Sequence, residues 1–192
     1  MQTRTNFWLV GLLCVMLVSA PFIACGQSGS SPWERYNQAG GDAYQQGNYA
    51  EAEKQFLAAL QEAQKFGPED TRLATSLNNL AEAYRFQGKY AEAESLFKRA
   101  LAIDEKAFGR EHPDTATSLN NLASFYYYQG KYAEAEPLSK RALAIWEKAL
   151  GPEHPNVVTS RENYVLLLRK MGRDEEAAKL EARAQAIRAK KQ

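Results

Sequence analysis

Apolar positions along this chain fall into short stripes of helical period, and the stripes come in pairs. Leu77, Leu80, Ala81 and Tyr84 sit at i, i+3, i+4 and i+7 with polar residues between them, which marks one buried face of a helix. After a break at Gly88-Lys89, a second stripe follows at Ala93, Phe97, Ala100 and Leu101. Residues 74–109 therefore predict two helices folded back on each other, with small and large side chains alternating where they meet. The same stretch returns at 116–151 after a shift of 42 residues: Asn78-Asn79-Leu80 as Asn120-Asn121-Leu122, Gly88-Lys89-Tyr90 as Gly130-Lys131-Tyr132. Weaker copies extend the period both ways, through Gly47-Asn48-Tyr49 upstream and Gly172-Arg173-Asp174 downstream. One hairpin cannot bury its apolar face alone, so a fixed period implies hairpins stacked in a row, four of them here.

Punctuation between the stripes sets the element ends. Ser31, Pro32 and Glu34 form a capping-box start with proline in the first helical position. Asp70 is placed to cap the third helix, Gly109 and Gly151 to follow helix ends, and Pro113 and Pro155 to open the fifth and seventh helices. The third copy departs from the second at Ser139, where Phe97 stood, leaving a space for Tyr126 or Trp146 to fill, and at Pro137, which is expected to bend the start of its helix. In the fourth copy Arg161, Glu181 and Gln185 replace Leu77, Phe97 and Leu101, as expected of a terminal unit with one solvated face. Trp146 stands where Asp104 stood and is expected to pack against the fourth copy.

Leu77-x-x-Leu80-Ala81-x-x-Tyr84 followed by Ala93-x-x-x-Phe97 resembles the tetratricopeptide repeat, whose usual period is about 34 residues. The longer period, the Leu-Asn-Asn-Leu-Ala run, the Gly-Lys-Tyr turn and Gly-x-Glu-His-Pro between copies look like the kinesin-light-chain subclass. The resemblance implies an all-α, right-handed superhelical solenoid over residues 32–192, with repeats near 32–67, 68–109, 110–151 and 152–190. It implies less about function, because this repeat serves many unrelated tasks.

Ahead of the repeats lies a different kind of segment. Arg4 is the only charge before Glu34, and residues 7–18 are apolar apart from Gly11, the pattern of a secretory signal peptide. Phe22-Ile23-Ala24-Cys25 resembles a bacterial lipobox, which makes 1–24 the signal, Cys25 the lipidated first residue, and 25–31 a flexible tether. An ordinary cleavage after Ala20 and an uncleaved anchor are the alternatives. By resemblance, Gly26 after the cysteine implies an outer-membrane address, facing the periplasm of a two-membrane bacterium. Composition adds little: 24 Lys+Arg against 23 Asp+Glu steers the chain to neither nucleic acid nor an anionic surface.

Candidate chemistry is sparse. With Cys14 in the signal and Cys25 lipidated, no thiol remains for a disulfide, a metal or a nucleophile. His112 and His154 fall in equivalent Glu-His-Pro turns one period apart, where side chains do not converge, so no metal or other cofactor is expected. The sequence has neither Gly-x-Ser-x-Gly nor a phosphate-binding glycine loop, and the glutamates of the second helices (Glu92, Glu94, Glu134, Glu136) read as a solvated face. The expected role is non-catalytic.

The resemblance implies that the first helix of each pair lines a concave groove along which a peptide lies. Asn79, Asn121 and Asn163 match in the second to fourth repeats, with Gln38 in the first; their amides suit an extended backbone or, equally, a tie between repeats. Further along that face lie Tyr44, Arg85, Phe86, Tyr127, Tyr128, Arg169 and Lys170, types enriched at binding hot spots, with the cations favouring acidic side chains. The expectation is a membrane-tethered scaffold holding a peptide or partner protein. Alternatives are an assembly factor for an outer-membrane or secretion complex, using the convex face or the termini, and an accessory activator of a cell-envelope enzyme.

Overall fold

The computed structural model describes residues 30–189; the predicted signal, Cys25 and the tether as far as residue 29 lie outside them, and Ser31, placed at the end of the tether, caps the first helix. Eight helices follow one another: α1 (Pro32–Gln45), α2 (Tyr49–Gln64), α3 (Thr71–Phe86), α4 (Tyr90–Phe108), α5 (Pro113–Tyr128), α6 (Tyr132–Leu150), α7 (Pro155–Lys170) and α8 (Asp174–Ala189). Each packs chiefly on its neighbours in sequence, and α1 also touches α3, as α3 touches α5. The result is a solenoid of four hairpins rather than a closed bundle. Because first helices approach each other, they form its inner wall. No described helix is long and apolar enough to cross a membrane.

Local chemistry fixes the ends. The Ser31 hydroxyl accepts from the Glu34 amide while the Glu34 carboxylate accepts from the Ser31 amide, closing the capping box. Asp70 caps α3 by accepting from the Arg72 amide (2.9 Å). The histidines cap as well: Nδ1 of His112 accepts from the Asp114 amide, and Nδ1 of His154 from the Asn156 amide, each at 3.2 Å. Within each hairpin the turn is one motif repeated. A glycine at positive φ (Gly47, Gly88, Gly130, Gly172) lets the next amide reach back to the carbonyl of Ala43, Tyr84, Tyr126 or Leu168, at 2.9 Å in all four. α6 runs unbroken across Pro137.

The core lies between helices and continues from hairpin to hairpin. Phe97 and Phe125 are fully buried with ring centroids 5.3 Å apart, joined by Ala81, Leu122 and Leu167. Trp146 is buried beside Val157 of α7, and its indole N–H donates to the Pro113 carbonyl (3.0 Å), so it does pack against the fourth hairpin. At the other end the Trp33 indole donates to the Ser76 hydroxyl (2.9 Å), binding α1 to α3.

Two sequence expectations need correction. Glu94 and Glu136 are not a merely solvated face: with Glu53 they pair across hairpins with Lys131 (3.4 Å), Arg173 (2.5 Å) and Lys89 (2.8 Å). The same ion pair thus ties each hairpin to the next. Arg161 is not solvated either. It is 4% exposed because Glu147 and the Pro152 carbonyl accept from its guanidinium (2.9 and 3.3 Å).

Candidate peptide-binding groove

Residues on the inner wall alternate between two duties, tying repeats together and facing the open side. Asn79 does the first: its amide donates to Oδ1 of Asn37 on α1 (3.0 Å). Asn78 likewise donates to the Ser118 hydroxyl on α5 (3.0 Å). Asn121 is half-buried and Asn163 exposed, and neither spends its amide on another described residue. Gln38 stays on the exposed side of α1 and donates to Asp42 (2.8 Å), so Asn37 rather than Gln38 is the first-hairpin residue that meets Asn79.

The aromatic residues converge along the C-terminal ends of the first helices. Phe86 of α3 stacks on Tyr49 (centroids 4.7 Å apart, planes 11° apart) and meets Tyr44 edge-on at 5.4 Å. The Arg85 guanidinium lies over Phe86 at 4.0 Å and over Tyr128 at 4.7 Å, bridging α3 to α5. Tyr127 then meets Tyr128 and Tyr132, each at 5.6 Å. The chain of contacts therefore runs without a break from α1 to α6. Along it Phe86 is 44% and Tyr128 69% exposed, far more than packing alone requires.

The cations contribute less than their number implies. Arg85 is paired with Glu82 on its own helix (2.8 Å) and Arg169 with both carboxylate oxygens of Glu181 (2.9 and 3.0 Å). Lys170 alone of the three is exposed without an ion pair. The expected positive lining is thus largely neutralised internally. Glu82 also accepts a long bond from the Tyr44 hydroxyl (3.5 Å), and burial pushes the Tyr44 phenol above its ordinary pKa, with the Glu82 charge adding to it.

Two hollows open on this wall at the same repeat positions. One, between α1 and α3, is lined by Asn37, Gly41, Tyr44, Gln45, Phe56, Asn79 and Glu82. The other, of about 100 Å³ between α5 and α7, is lined by the counterparts Asn120, Ser124, Tyr127, Tyr128, Ser139, Asn163 and Leu166, together with Ala123 and Leu167. Predicted residues Tyr127, Tyr128 and Asn163 meet here. Asn120, Ser124, Ser139 and Leu166 are additions; a strict reading of the inward-facing helical period of α5 would have found the first two, since Asn120, Ser124, Tyr127 and Tyr128 fall at i, i+4, i+7 and i+8. The space beside Ser139 is filled by neither expected side chain. Tyr126 points its hydroxyl to Glu94 (2.9 Å), and Trp146 is committed to the Pro113 carbonyl.

A stacked array of helix hairpins with an open inner wall is the architecture of a protein-interaction scaffold. The family model for the tetratricopeptide repeat matches residues 36–106, 72–124 and 114–190, and the chain belongs to that family. Among solved structures it is similar to a kinesin-light-chain protein of Podosopora anserina with nearly identical TPR-like repeats: 28% identity, 84% of this chain and 78% of that one covered, TM-score 0.76. It is also similar to BtubC (BKLC) from P. vanneervenii, at 25% identity over 84% of this chain and 66% of the other, TM-score 0.73. The apo form of RapI, 17% identical over 83% of this chain and 57% of that one, shares the fold with TM-score 0.70. No curated protein matches the chain by sequence.

Proposed function

We propose that this chain is a non-catalytic scaffold that holds an extended stretch of a partner polypeptide along its inner wall. The observation that carries the reading is the aromatic run from Tyr44 to Tyr132, with Phe86 and Tyr128 exposed, Asn163 lining the same hollow as Tyr128, and the amides of Asn121 and Asn163 unspent. The amides offer a donor and an acceptor to a peptide backbone, and the rings offer rigid apolar area at low entropic cost. Asn79 supports the wall through Asn37 rather than reading the ligand. The sequence of the N-terminal segment adds a location: lipid on Cys25 would hold the scaffold at a bacterial outer membrane, facing the periplasm.

Peptides selected from a random displayed library on the wild-type chain provide the probe. Tyr128→Ala and Asn163→Ala are expected to weaken the selected peptides by about tenfold or more, the effect of losing a hot-spot contact, with helicity unchanged. Binding unaltered by both would reject the inner wall as the site. For the tether, Cys25→Ser is expected to abolish incorporation of labelled palmitate, and equal incorporation would remove the lipid from the proposal.

A further inference from the structure

The hollow between α5 and α7 has an origin that says what fits it. Residues 74–109 and 116–151 differ at only eight positions, and four of the differing residues in the later copy, Ser124, Tyr127, Tyr128 and Ser139, line this one cavity. Divergence in two nearly identical repeats is thus concentrated where nothing of the chain's own is packed. Ser139 is what sets this hollow apart from the equivalent one between α1 and α3, which keeps Phe56 in its wall. Its counterparts Phe97 and Phe56 are 0% and 4% exposed, each sending a ring from a second helix toward the first helices. The Phe97 ring shares a cluster with Ala81 and Phe125. Around Ser139 the corresponding Ala123 and Leu167 remain, and the ring is missing.

Ser139 is 9% exposed, lines the cavity, and its hydroxyl has no hydrogen-bond partner among the described residues. The hydroxyl is open to the cavity rather than sealed within protein, so the floor stays accessible to whatever enters. The cavity of about 100 Å³ is not enclosed, and Leu166 and Tyr128 in its lining are both exposed. Its volume is somewhat less than the roughly 150 Å³ that takes up benzene in an engineered cavity, and the open mouth leaves room for the stem of a side chain.

We infer that this hollow is the specificity pocket of the groove: it receives one aromatic side chain of the bound polypeptide, whose ring takes the place that Phe97 fills in the preceding repeat. The inference rests on the proposed groove reading for its peptide context, but the pocket can be tested without it. N-acetyl-phenylalaninamide is titrated into methyl-labelled protein at millimolar concentration. The methyl signals of Ala123, Leu166 and Leu167 are expected to shift in the wild type and in Ser139→Ala, and to stay still in Ser139→Phe, where the chain supplies its own ring. N-acetyl-alaninamide is expected to move none of them. Should Ser139→Phe fail to fold, Ser124→Trp closes the pocket from its mouth and is expected to give the same silence. No shift in the wild type, or equal shifts in the closed variants, would overturn the pocket.

Library-selected peptides separate the two readings. They are expected to share one aromatic position and to bind Ser139→Phe about tenfold more weakly or worse, the factor lost when one ring can no longer be buried. Peptides weakened by Tyr128→Ala but indifferent to Ser139→Phe would overturn the pocket and leave the groove standing. Peptides indifferent to every inner-wall variant would overturn both.

Discussion

Gly40 and Gly41 are adjacent in the interior of α1, yet replacing each by alanine is expected to act in opposite directions. Either substitution removes the conformational cost of glycine in a helix, a gain of about 1 kcal/mol. At Gly41 nothing lies within 4 Å of the added Cβ, so the gain stands alone. At Gly40 the new carbon would lie 2.5 Å from both Cδ1 and Cε1 of Phe56 and 3.0 Å from Cζ. That ring is 4% exposed and packed in one cluster with Ala43, Leu80 and Ala83, so its only escape is into the hollow beside Asn37 and Glu82. Overpacking of this kind costs about 1–3 kcal/mol. Gly40→Ala is therefore expected to be destabilised by between about 0 and 2 kcal/mol, while Gly41→Ala gains about 1 kcal/mol. Subtracting one variant from the other cancels the helix term and leaves the steric one. Urea unfolding followed by circular dichroism reads both, with amide exchange in α1 added because a terminal hairpin opens before the centre of an array. Adding Phe56→Leu is expected to remove most of the difference. Equal stabilisation by the two alanines would refute the argument that Phe56 dictates glycine at position 40.

The remaining predictions concern charge. Asp104 is 6% exposed, and burial holds its carboxyl above the usual pKa despite a hydrogen bond from Ser118; the Asp114 charge acts in the same direction. A raised folded-state pKa means the native state binds the extra proton, so stability falls as pH rises from the unfolded value through the folded one. Asp104→Asn is accordingly expected to raise the melting temperature by a few degrees at pH 7 and to lose that advantage below about pH 4, checked by melting across pH. Arg173 joins Glu136 on α6 to Glu176 on α8, and its fork holds Glu176 below the usual carboxylate range. Arg173→Ala is expected to lower the urea midpoint in dilute buffer and to lower it less in 1 M salt; an effect that salt does not alter would mean packing rather than charge.

What the sequence disclosed about this fold was whatever one helix decides by itself. The Leu77–Tyr84 stripe, the Ser31 and Asp70 caps and the prolines opening α5 and α7 depend on residues within a turn or two, and each is where local chemistry put it. Partnerships between hairpins were not legible. Glu53 meets Lys89, Glu94 meets Lys131 and Glu136 meets Arg173 because the Schellman turn presents the cation to the second helix of the preceding hairpin, a relation that no periodicity encodes. The inner wall was half legible. Its aromatic residues could be placed on the correct helix ends, but the neutralisation of Arg85 by Glu82 and of Arg169 by Glu181 depends on side-chain direction.

The gap at Ser139 shows where that boundary lies. A missing phenylalanine is visible in the repeat alignment, and close packing normally demands that neighbours fill such a loss. Whether they can depends on what else holds them. Tyr126 has its hydroxyl on Glu94, itself bound to Lys131, and Trp146 has its indole on Pro113 and its rings beside Val157. Either side chain would have to abandon a hydrogen bond and a packed cluster to enter the space. Across the array, the residue facing the second-helix position changes from Ala83 opposite Phe56 to Phe125 opposite Phe97 and Leu167 opposite Ser139. Leu167 is larger than Ala83 but smaller than Phe125, so it does not replace the ring lost from the other side of the last pair. The vacancy therefore persists because its neighbours are already engaged, which distinguishes a site kept open from a defect that the core could have repaired.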